Sequence, residues 1–402
     1  MLDEKRLRAE FPLLARRVDG RSLIYLDSAA TSLKPRAVLD AERRFYEEVG
    51  ANVHRGRHFL SEEASFQFAR ARSVVADFIN APPEETIFVA GATMAINLVS
   101  LGLGLCAGDN VVATMQEHHA NLLPWYGRCE VRLAPVDGQG LVDAGALAGM
   151  LDASTRLVAI GHASNATGAI QDLRPIIEAA HRRNIPVLVD ACQSAAHLKI
   201  DVQELDVDFL VFSGHKMLGP MGTGVLYGKR ARLEGLGAPI RGGGAVSLVT
   251  MDSFTLKALP ERLEPGTPNV AGAIGLAAAV SFLEGLGRDD VIAHERRLVE
   301  RMLARAANLP DSLELLGPRD ERQRLPLLSF VVRGSVSPDH VALRLSEAHH
   351  VLVRSGHHCC HPFFDSLGAA GSVRFSAHVY NTLEEIDIAM DALESCIRGF
   401  VV

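Results

Sequence analysis

The chain has 402 residues, of which 48% are hydrophobic and 22% are charged, and its formal net charge is -7. This is the composition of an ordinary globular protein, and it excludes disorder, collagen and a disulfide scaffold. The mildly acidic balance, with basic residues scattered along the chain, argues against nucleic acid and anionic membranes as partners.

The N-terminal residues, Met1 to Arg6, are polar in the main and have no apolar leader behind them. No stretch has enough consecutive apolar residues to span a bilayer, so we expect a cytoplasmic protein with no membrane partner. Six cysteines without a C-x-x-C pair are too few and too irregular for a disulfide framework. A cysteine of special importance must therefore be important for its reactivity.

From about residue 85 to residue 230, short apolar runs alternate with longer helix-like stretches. The runs lie at 86–90, 110–114, 157–161, 186–190, 208–212 and 224–227. Runs of this kind, separated by helices, predict a mainly parallel sheet covered on both faces. Because ligands of such sheets bind at the carboxyl ends of the strands, we expect the functional residues just after the runs.

The pattern changes after residue 272 to a segment rich in Ala, Leu and Glu, which predicts a connecting pair of helices over 273 to about 309. The elements predicted beyond it are strands at 328–332, 351–354 and 372–375 and a helix at 339–349. Thr382 and Glu385 have the spacing of a capping box and open a last helix.

We therefore predict an α/β protein of two domains. A large domain would cover residues 16–272, and a small α+β domain would cover 273–402, joined by the N-terminal segment 1–15. A chain of this length usually divides in this way and has ample volume for a cofactor.

Lys216 is the one lysine of six in an unusual context. It follows the apolar run that ends at Phe212, within a glycine-rich loop at the carboxyl end of a predicted strand. A partly desolvated lysine at such a place can form a Schiff base. For an isolated lysine, a surface position in a turn would be the better interpretation. The residues at the neighbouring strand ends therefore decide whether Lys216 is a Schiff-base lysine or a surface lysine.

Three other strand ends carry complementary groups. Asp190 can pair with the pyridinium nitrogen of pyridoxal phosphate, although alone it is as readily a helix cap. Thr93 opens a helix, where free N–H groups and the helix dipole favour a phosphate. His118 can stack on a flat ring, and since no third ligand is near His118 and His119 in sequence, we expect no metal. With Lys216, the set predicts a pyridoxal phosphate site.

Six motifs carry a family resemblance: Ser213-Gly-His-Lys, Val189-Asp-Ala-Cys-Gln, Glu117-His-His-Ala-Asn, Asn52-Val-His-Arg-Gly, Glu264-Pro-Gly-Thr-Pro-Asn and Arg354-Ser-Gly-His-His-Cys. Together they resemble cysteine desulfurases of the SufS type, group II of the class V aminotransferase-like, fold-type I pyridoxal phosphate enzymes. The resemblance runs in register from Tyr25 to Thr382. It implies a large cofactor domain with a mainly parallel seven-stranded sheet between helices, and a smaller α+β C-terminal domain.

The resemblance also implies a role for each matching residue. Lys216, Cys359 and His118 would be catalytic. Residues that would bind the cofactor are Thr93, His118, Asp190, Gln193, Ser213, His215 and Lys216, with Thr267 reaching in from the partner subunit of a homodimer. Asn165, Arg354 and Arg374 would bind the substrate, and a guanidinium suits a carboxylate.

The implied reaction converts L-cysteine to L-alanine and leaves a persulfide on Cys359. An acceptor protein of the SufE or SufU kind would then take the sulfur for iron–sulfur cluster assembly or another pathway. Because a free thiol is mostly protonated at neutral pH, the attack needs a nearby base or positive group. Arg354, His357, His358 and His361 lie close in sequence and can supply one.

Two places depart from the family pattern. Cys360 stands where relatives usually have a small or non-thiol residue; we expect it to be inert, with sulfur transfer or a regulatory disulfide as alternatives. The helix start reads Ala90-Gly-Ala-Thr-Met where the family commonly has Arg-Gly-Thr-Thr-Glu. Loss of one phosphate-binding hydroxyl costs about 1 kcal/mol, so cofactor binding should survive.

Other functions stay open at this point. L-selenocysteine lyase activity uses the same cofactor chemistry without strict need of the cysteine, and relative kcat/KM on the two substrates separates it. A class V aminotransferase or epimerase would keep full activity on a non-sulfur amino acid after Cys359→Ala. A non-catalytic scaffold would show no absorption band of a bound cofactor.

Overall fold

The computed structural model describes residues 2–399, and its centre is a seven-stranded sheet. Six strands run in one direction, and Gly224–Gly228 pairs antiparallel with both of its neighbours. In spatial order the strands are Thr86–Val89, Gly224–Gly228, Phe209–Ser213, Val187–Asp190, Thr155–Gly161, Asn110–Thr114 and Glu130–Ala134. The predicted mainly parallel, seven-stranded sheet is confirmed.

The middle residues of the central strands are apolar because both faces of the sheet are covered. Val187 and Val189 pack into one hydrophobic core, whereas Leu188 between them packs into another on the opposite face. The helices of this part of the chain are Glu4–Ala9, Arg36–Arg44, Phe59–Phe78, Ala92–Gly102, Ala144–Gly149, Arg174–His181, Val202–Leu205 and Arg230–Gly235. The two cores fix the sheet between helices, so the strand ends are held rigidly.

The edge strand Glu130–Ala134 is the one strand of this sheet that the apolar runs did not indicate. Its first four residues are exposed or half-buried, and Arg132 forms ion pairs with Glu130 (2.9 Å) and Asp152 (2.6 Å). An edge strand that faces solvent needs no continuous apolar run, and its charges discourage pairing with another sheet.

Short elements complete this part of the chain. Helical turns other than α-helices lie at Pro12–Ala15, Phe45–Val49, Pro83–Glu85, His119–Asn121, Gly214–Lys216, Glu261–Leu263 and, further along, Glu321–Gln323. Two small hairpins pair Arg17–Val18 with Arg21–Ser22 and Val246–Val249 with Phe254–Leu256. The second hairpin exposes apolar side chains, among them Met251 and Val249.

The predicted connecting helices are Val270–Leu286 and Arg288–Ala306, which meet at Gly287. Gly287 adopts a φ of 80°, a backbone conformation that suits glycine at a sharp break. Among residues 2–399 no single helix is long and apolar enough to cross a membrane. These two helices have that length and composition only when taken together, and they are bent by 81° at their junction.

A four-stranded antiparallel sheet follows, with the spatial order Leu313–Leu316, Leu327–Val332, Ser372–Ser376 and Arg354–Gly356. Its helices are Pro338–His349, His361–Ser366 and Leu383–Arg398, the last with the predicted capping box of Thr382 and Glu385. The run predicted as one strand at 351–354 is divided: Val351–Leu352 pairs with Ile24–Tyr25, and Arg354–Gly356 joins the sheet. Leu313–Leu316 was not predicted.

The domain boundaries at 16–272 and 273–402 stay a prediction. The hydrophobic core beneath the four-stranded sheet includes Leu298, Phe330 and Phe375 and also takes in Ile24 and Leu26 from near the N-terminus. The N-terminal part of the chain is thereby tied to the C-terminal sheet, beside the strand that carries Arg374.

Candidate active site

A cavity of about 480 Å³ lies where the parallel strands end. Eleven of the twelve predicted site residues line it: Thr93, His118, Asn165, Asp190, Gln193, Ser213, His215, Lys216, Arg354, Cys359 and Arg374. Each of the first eight stands at or after the carboxyl end of a strand, and the last three come from the four-stranded sheet and the segment after it. The cavity is therefore formed between the two sheets.

One end of the cavity is built for an anion. The helix Ala92–Gly102 begins there after Gly91, and the hydroxyl of Ser213 accepts the backbone N–H of Ala92 at 2.9 Å. A Cβ on Gly224 would come within 2.7 Å of the Gly91 Cα, so the strand and the loop approach as closely as glycine allows. Free N–H groups in the first turn, with the Thr93 side chain beside them, suit a phosphate.

The polar groups for a flat ring lie along the next strand. Asp190 is buried and its Oδ1 accepts the Cys192 N–H at 2.9 Å, while Gln193 donates to the Ala29 carbonyl at 3.0 Å. Burial, with the positive charge of Lys216, lowers the pKa of His118 to about 4. His118 is thus a neutral imidazole, which can pack against an aromatic ring without adding charge.

The turn Gly214–Lys216 is held by its backbone. The His215 carbonyl accepts hydrogen bonds from Ser32 (N, 2.9 Å; Oγ, 3.0 Å), Thr31 Oγ1 (3.1 Å) and Lys34 Nζ (3.0 Å). Burial lowers the pKa of Lys34 to about 8. Sequence reasoning missed this anchor because the donors lie about 180 residues before Lys216.

Arg374 is a buried guanidinium with spare hydrogen-bonding capacity. Its Nη1 donates to the Asn165 carbonyl at 2.9 Å and its Nη2 reaches Asp27 at 3.4 Å, but its Nε has no partner among residues 2–399. Burial lowers the pKa of Arg374 to about 10, so the group is still a cation near neutrality. A buried cation with an unmatched N–H fits a ligand carboxylate.

Arg354, by contrast, already has a carboxylate partner. Its Nε and Nη2 donate to Asp27 at 3.0 and 2.7 Å, which is a two-pronged ion pair, and that pair raises the pKa of Arg354. Asp27 was not predicted as a site residue. Asp27 stands two residues after Tyr25, where the resemblance begins, and this position was the available signal.

Hydrogen bonds to backbone carbonyls hold the segment that contains Cys359, and the Cys359 side chain is exposed. His358 and Cys359 have φ values of 49° and 58°, which are unusual for residues with side chains. Asn165 Nδ2 donates to the His358 carbonyl at 2.6 Å, and the His119 N–H donates to the Cys359 carbonyl at 2.8 Å. These two bonds hold the turn in this conformation at the cavity opening.

The histidines near Cys359 do not contribute alike. His358 is buried against Ser372 (Nε2 to Oγ, 2.9 Å), and burial lowers its pKa to about 2, so it supplies no positive charge. His357 and His361 stack with ring centres 4.2 Å apart, and His361 Nδ1 lies 3.1 Å from His119 Nε2. Of the positive or basic groups expected from the motif, Arg354 and the stacked pair His357 and His361 therefore remain as candidates.

Cys360 is fully buried beside Phe363 and Phe364. Burial raises the pKa of its thiol, which makes the thiolate unfavourable. The side chain points into a hydrophobic cluster while that of Cys359 is exposed. Burial supports the expectation that Cys360 is inert.

Thr267 lies outside the Lys216 cavity. It is exposed and borders a separate pocket of about 290 Å³ together with Met94 and Pro265. Thr267 is the one predicted cofactor residue that does not line the cavity with Lys216, and its role in a second subunit stays a prediction.

A further buried cluster lies away from the cavity, where His197, Glu295 and His378 bring ligand atoms within 4.8 Å of one another. His197 Nδ1 and Glu295 form a 2.8 Å hydrogen bond, and the charges of Lys34 and Arg288 act on His378. Nearby positive charge disfavours a cation, so the cluster is explained as a buried hydrogen-bonded pair. The expected absence of a metal stays a prediction.

Glu117 is a buried carboxyl that begins one of the six motifs but was assigned no role from the sequence. It borders the cavity and bonds to Thr114 (2.6 Å) and Asn121 (2.7 Å), yet burial raises its pKa to about 7. Because the pKa of Glu117 is higher in the folded protein than in the unfolded chain, this carboxyl destabilises the folded protein when it ionises. Its contribution to stability is fully present below the unfolded pKa of 4.5. Stability is then lost as the pH rises towards 7.

We expect Glu117→Gln to stabilise the protein at about pH 8 by an amount on the order of 3 kcal/mol, and to change little at about pH 5. The amide keeps both hydrogen bonds but never ionises. Urea denaturation of wild type and variant at the two pH values measures this. Equal stability of the two proteins at the higher pH would contradict the raised pKa.

Comparisons with known proteins agree over nearly the whole chain. A family model described as aminotransferase class-V matches residues 24–388. A probable cysteine desulfurase of Synechocystis sp. is 41% identical over 404 residues, covering 98% of this chain and 96% of that protein. A cysteine desulfurase of Cronobacter sakazakii is 40% identical over 394 residues, covering 95% of each.

Solved structures show the same likeness. The apo structure of a cysteine desulfurase from Thermococcus onnurineus NA1 superposes with a TM-score of 0.93 at 38% identity, covering 99% of both chains. The cysteine desulfurase CsdA of Escherichia coli superposes with a TM-score of 0.89 at 35% identity, also covering 99% of both chains. The two-sheet architecture around the cavity is therefore shared.

Proposed function

The chain belongs to the aminotransferase class-V family and is a pyridoxal phosphate-dependent cysteine desulfurase, and we propose that the cavity at the strand ends is its active site. Its substrate is L-cysteine. The observation that carries the proposal is that Lys216, Asp190, Arg374 and Cys359, far apart in sequence, border one cavity.

The donor set fits pyridoxal phosphate. Lys216 would hold the cofactor covalently through Nζ, Asp190 would pair with the ring nitrogen, and Gln193 would contact the ring hydroxyl. His118, neutral by burial, would lie against the ring. When bound, the cofactor supplies an electron sink for the pair of electrons left when a proton leaves the substrate Cα.

The phosphate would bind at the start of the helix Ala92–Gly102. Thr93, Ser213 and His215 border this end of the cavity, and the first turn of the helix adds N–H donors. Thr267 would complete the site from the partner subunit of a homodimer. Exposed Phe59, Phe66 and Met221 support an association of two copies, since large apolar side chains are seldom left in water in such number.

Arg374 and Asn165 would hold the substrate carboxylate. The unmatched Nε of Arg374 offers a donor, and its ties to Asn165 and Asp27 keep the guanidinium in place. With the carboxylate fixed, Lys216 Nζ takes the proton from Cα and later returns a proton to the carbon skeleton. A positioned amine suits both tasks.

Cys359 would accept the sulfur. Its thiol loses a proton, and the thiolate attacks the substrate sulfur, so that one S–S bond forms while the bond between Cβ and sulfur breaks. The electron pair of the broken bond stays with the carbon skeleton, which takes up a proton and leaves as L-alanine. The exposure of Cys359 suits the next transfer, from its persulfide to an acceptor protein of the SufE or SufU kind. We further propose a cytoplasmic location.

The test is turnover of L-cysteine by the protein loaded with pyridoxal phosphate. We expect L-alanine and sulfide in equal amounts in the presence of dithiothreitol, and without reductant a single sulfur atom added to the peptide that contains Cys359. L-selenocysteine as a parallel substrate measures the related lyase activity. Release of alanine no faster than with free cofactor would overturn the proposal.

A further inference from the structure

We propose that the chain has a second ligand site, a cavity outside the catalytic one that binds a free α-amino acid with an apolar side chain and thereby changes the rate of turnover. This cavity has a volume of about 990 Å³, within the range of pockets that hold small molecules. It shares no lining residue with the cavity of Lys216. The inference goes beyond the proposed function, because none of the residues given a role in the reaction lines this cavity.

A buried arginine without an ion pair borders the second cavity. Arg288 is only 8% exposed, and among residues 2–399 it forms no ion pair with a carboxylate. Its Nη2 donates to the backbone carbonyls of Ala195 and Leu198, whereas its Nη1 has no hydrogen-bond partner among the described residues. Buried guanidinium groups are nearly always paired. A carboxylate of a ligand would therefore supply the missing partner.

Two carboxylates border the same cavity and face solvent. Glu284 and Asp77 are exposed, and neither forms an ion pair within the part of the chain that the structure describes. Burial lowers the pKa of Arg288, and the charge of Glu284 opposes this, so Glu284 is near Arg288 without contacting it. Opposite charges separated in this way fit a ligand that carries both. A free α-amino acid does so, with its carboxylate on Arg288 and its ammonium group towards Glu284.

The other charged side chains of this cavity already have partners. Lys199 pairs with Asp289 at 2.7 Å. Glu204 pairs with Arg174 at 3.1 Å, and Asp201 caps the short helix that follows it. The charges open to a ligand are therefore the buried cation and the two exposed carboxylates.

The rest of the wall is mostly apolar, formed by Val74, Phe78, Leu198, Ile200, Leu205 and Val280. The Phe78 ring lies against the Arg288 guanidinium, with 4.7 Å from Cζ to the ring centre. Burial lowers the pKa of His162, which also lines the cavity, to about 4, so this imidazole adds no charge. An apolar ligand side chain would contact this wall, and L-leucine is the probe that follows from it.

The two cavities are joined through the backbone. His162 directly follows Gly161, which lines the cavity of Lys216, and the His162 N–H donates to the Asp190 carbonyl at 2.9 Å. The Leu198 carbonyl that Arg288 contacts lies eight residues after Asp190. A ligand on Arg288 thus contacts a segment that also carries groups of the catalytic cavity, and we expect it to change kcat.

Binding is tested by calorimetric titration of L-leucine into holoenzyme reduced with borohydride. Reduction fixes the cofactor on its lysine, so the catalytic cavity cannot form a Schiff base with the added amino acid. We expect one L-leucine per chain, and at least about tenfold weaker binding in Arg288→Met, which keeps the apolar stem but not the charge. Glu284→Gln, at an exposed position, should also weaken binding and serves if Arg288→Met does not fold. Lys199→Gln borders the same cavity and is the matched control, which should bind as wild type.

N-Acetyl-L-leucine lacks the ammonium group and should bind at least about tenfold more weakly than L-leucine. In L-cysteine turnover, saturating L-leucine should change the kcat of wild type at least about twofold and leave that of Arg288→Met unchanged. The proposal is overturned if wild type binds no L-leucine, if folded Arg288→Met and Glu284→Gln bind it as wild type does, or if the acetylated compound binds equally well. An effect on KM alone would place L-leucine in the catalytic cavity and overturn the proposal as well.

Discussion

Replacing Cys359 with serine is expected to lower L-alanine formation from L-cysteine at least about a hundredfold and to abolish persulfide formation. The serine hydroxyl is not ionised near neutral pH and cannot take up the sulfur. Since the Cys359 side chain is exposed and its carbonyl, not its thiol, bonds to His119, the variant should fold and keep its cofactor. Alanine release and the absorption band of the bound cofactor measure the two properties.

Cys360→Ala is the matched control, because it removes the neighbouring thiol from a buried position. It should keep the rate of wild type and lose about 1 to 2 kcal/mol of stability through the small cavity it leaves beside Phe363 and Phe364. If Cys360→Ala lost turnover while Cys359→Ser kept it, the assignment of the reactive thiol would be wrong. A cofactor-loaded Cys359→Ser that still cleaves L-selenocysteine would show that the earlier proton transfers are intact.

The predictions from sequence succeeded where burial is complete. The run 110–114 coincides with the strand Asn110–Thr114, whose three middle residues are apolar because both faces of the strand are covered. Glu130–Ala134 escaped the same reasoning because it is an edge, where solvent accepts Arg132 and Glu130. Such a strand is recognised from its pairing partner, which a sequence alone does not give.

A site residue could be predicted from the sequence only where its own chemistry and motif indicate its role. Lys216 and Cys359 are marked by their own chemistry and their motifs. Asp27 accepts hydrogen bonds from Arg354 and Arg374, and these two arginines come together when two strands of the C-terminal sheet pair. The motif around His358 suggests a positive or proton-accepting imidazole, but burial lowers the pKa of His358 to about 2 and keeps the side chain neutral. For both residues, a long-range contact or burial determines what the side chain can do, and neither can be predicted from the neighbouring residues in sequence.

Lys216→Arg is expected to reduce L-cysteine turnover on the order of a thousandfold or more, because a positioned proton-transfer group is worth that much. Arginine keeps the positive charge beside His118 and much of the length, but it neither gives up a proton near neutral pH nor holds the cofactor covalently.

Borohydride treatment followed by peptide mass analysis measures the covalent link: the cofactor should be attached at residue 216 of wild type and absent from the variant. Lys199→Arg, at an exposed lysine paired with Asp289 at 2.7 Å, is the matched control and should behave as wild type. Attachment at Lys34 in wild type would contradict the assignment, since Lys34 is the other lysine close to the turn and burial lowers its pKa to about 8. The Lys34 Nζ donates hydrogen bonds to the His215 carbonyl and to Thr31, so Lys34 stabilises the turn. We therefore expect Lys216 to be the lysine whose amine takes part in the reaction.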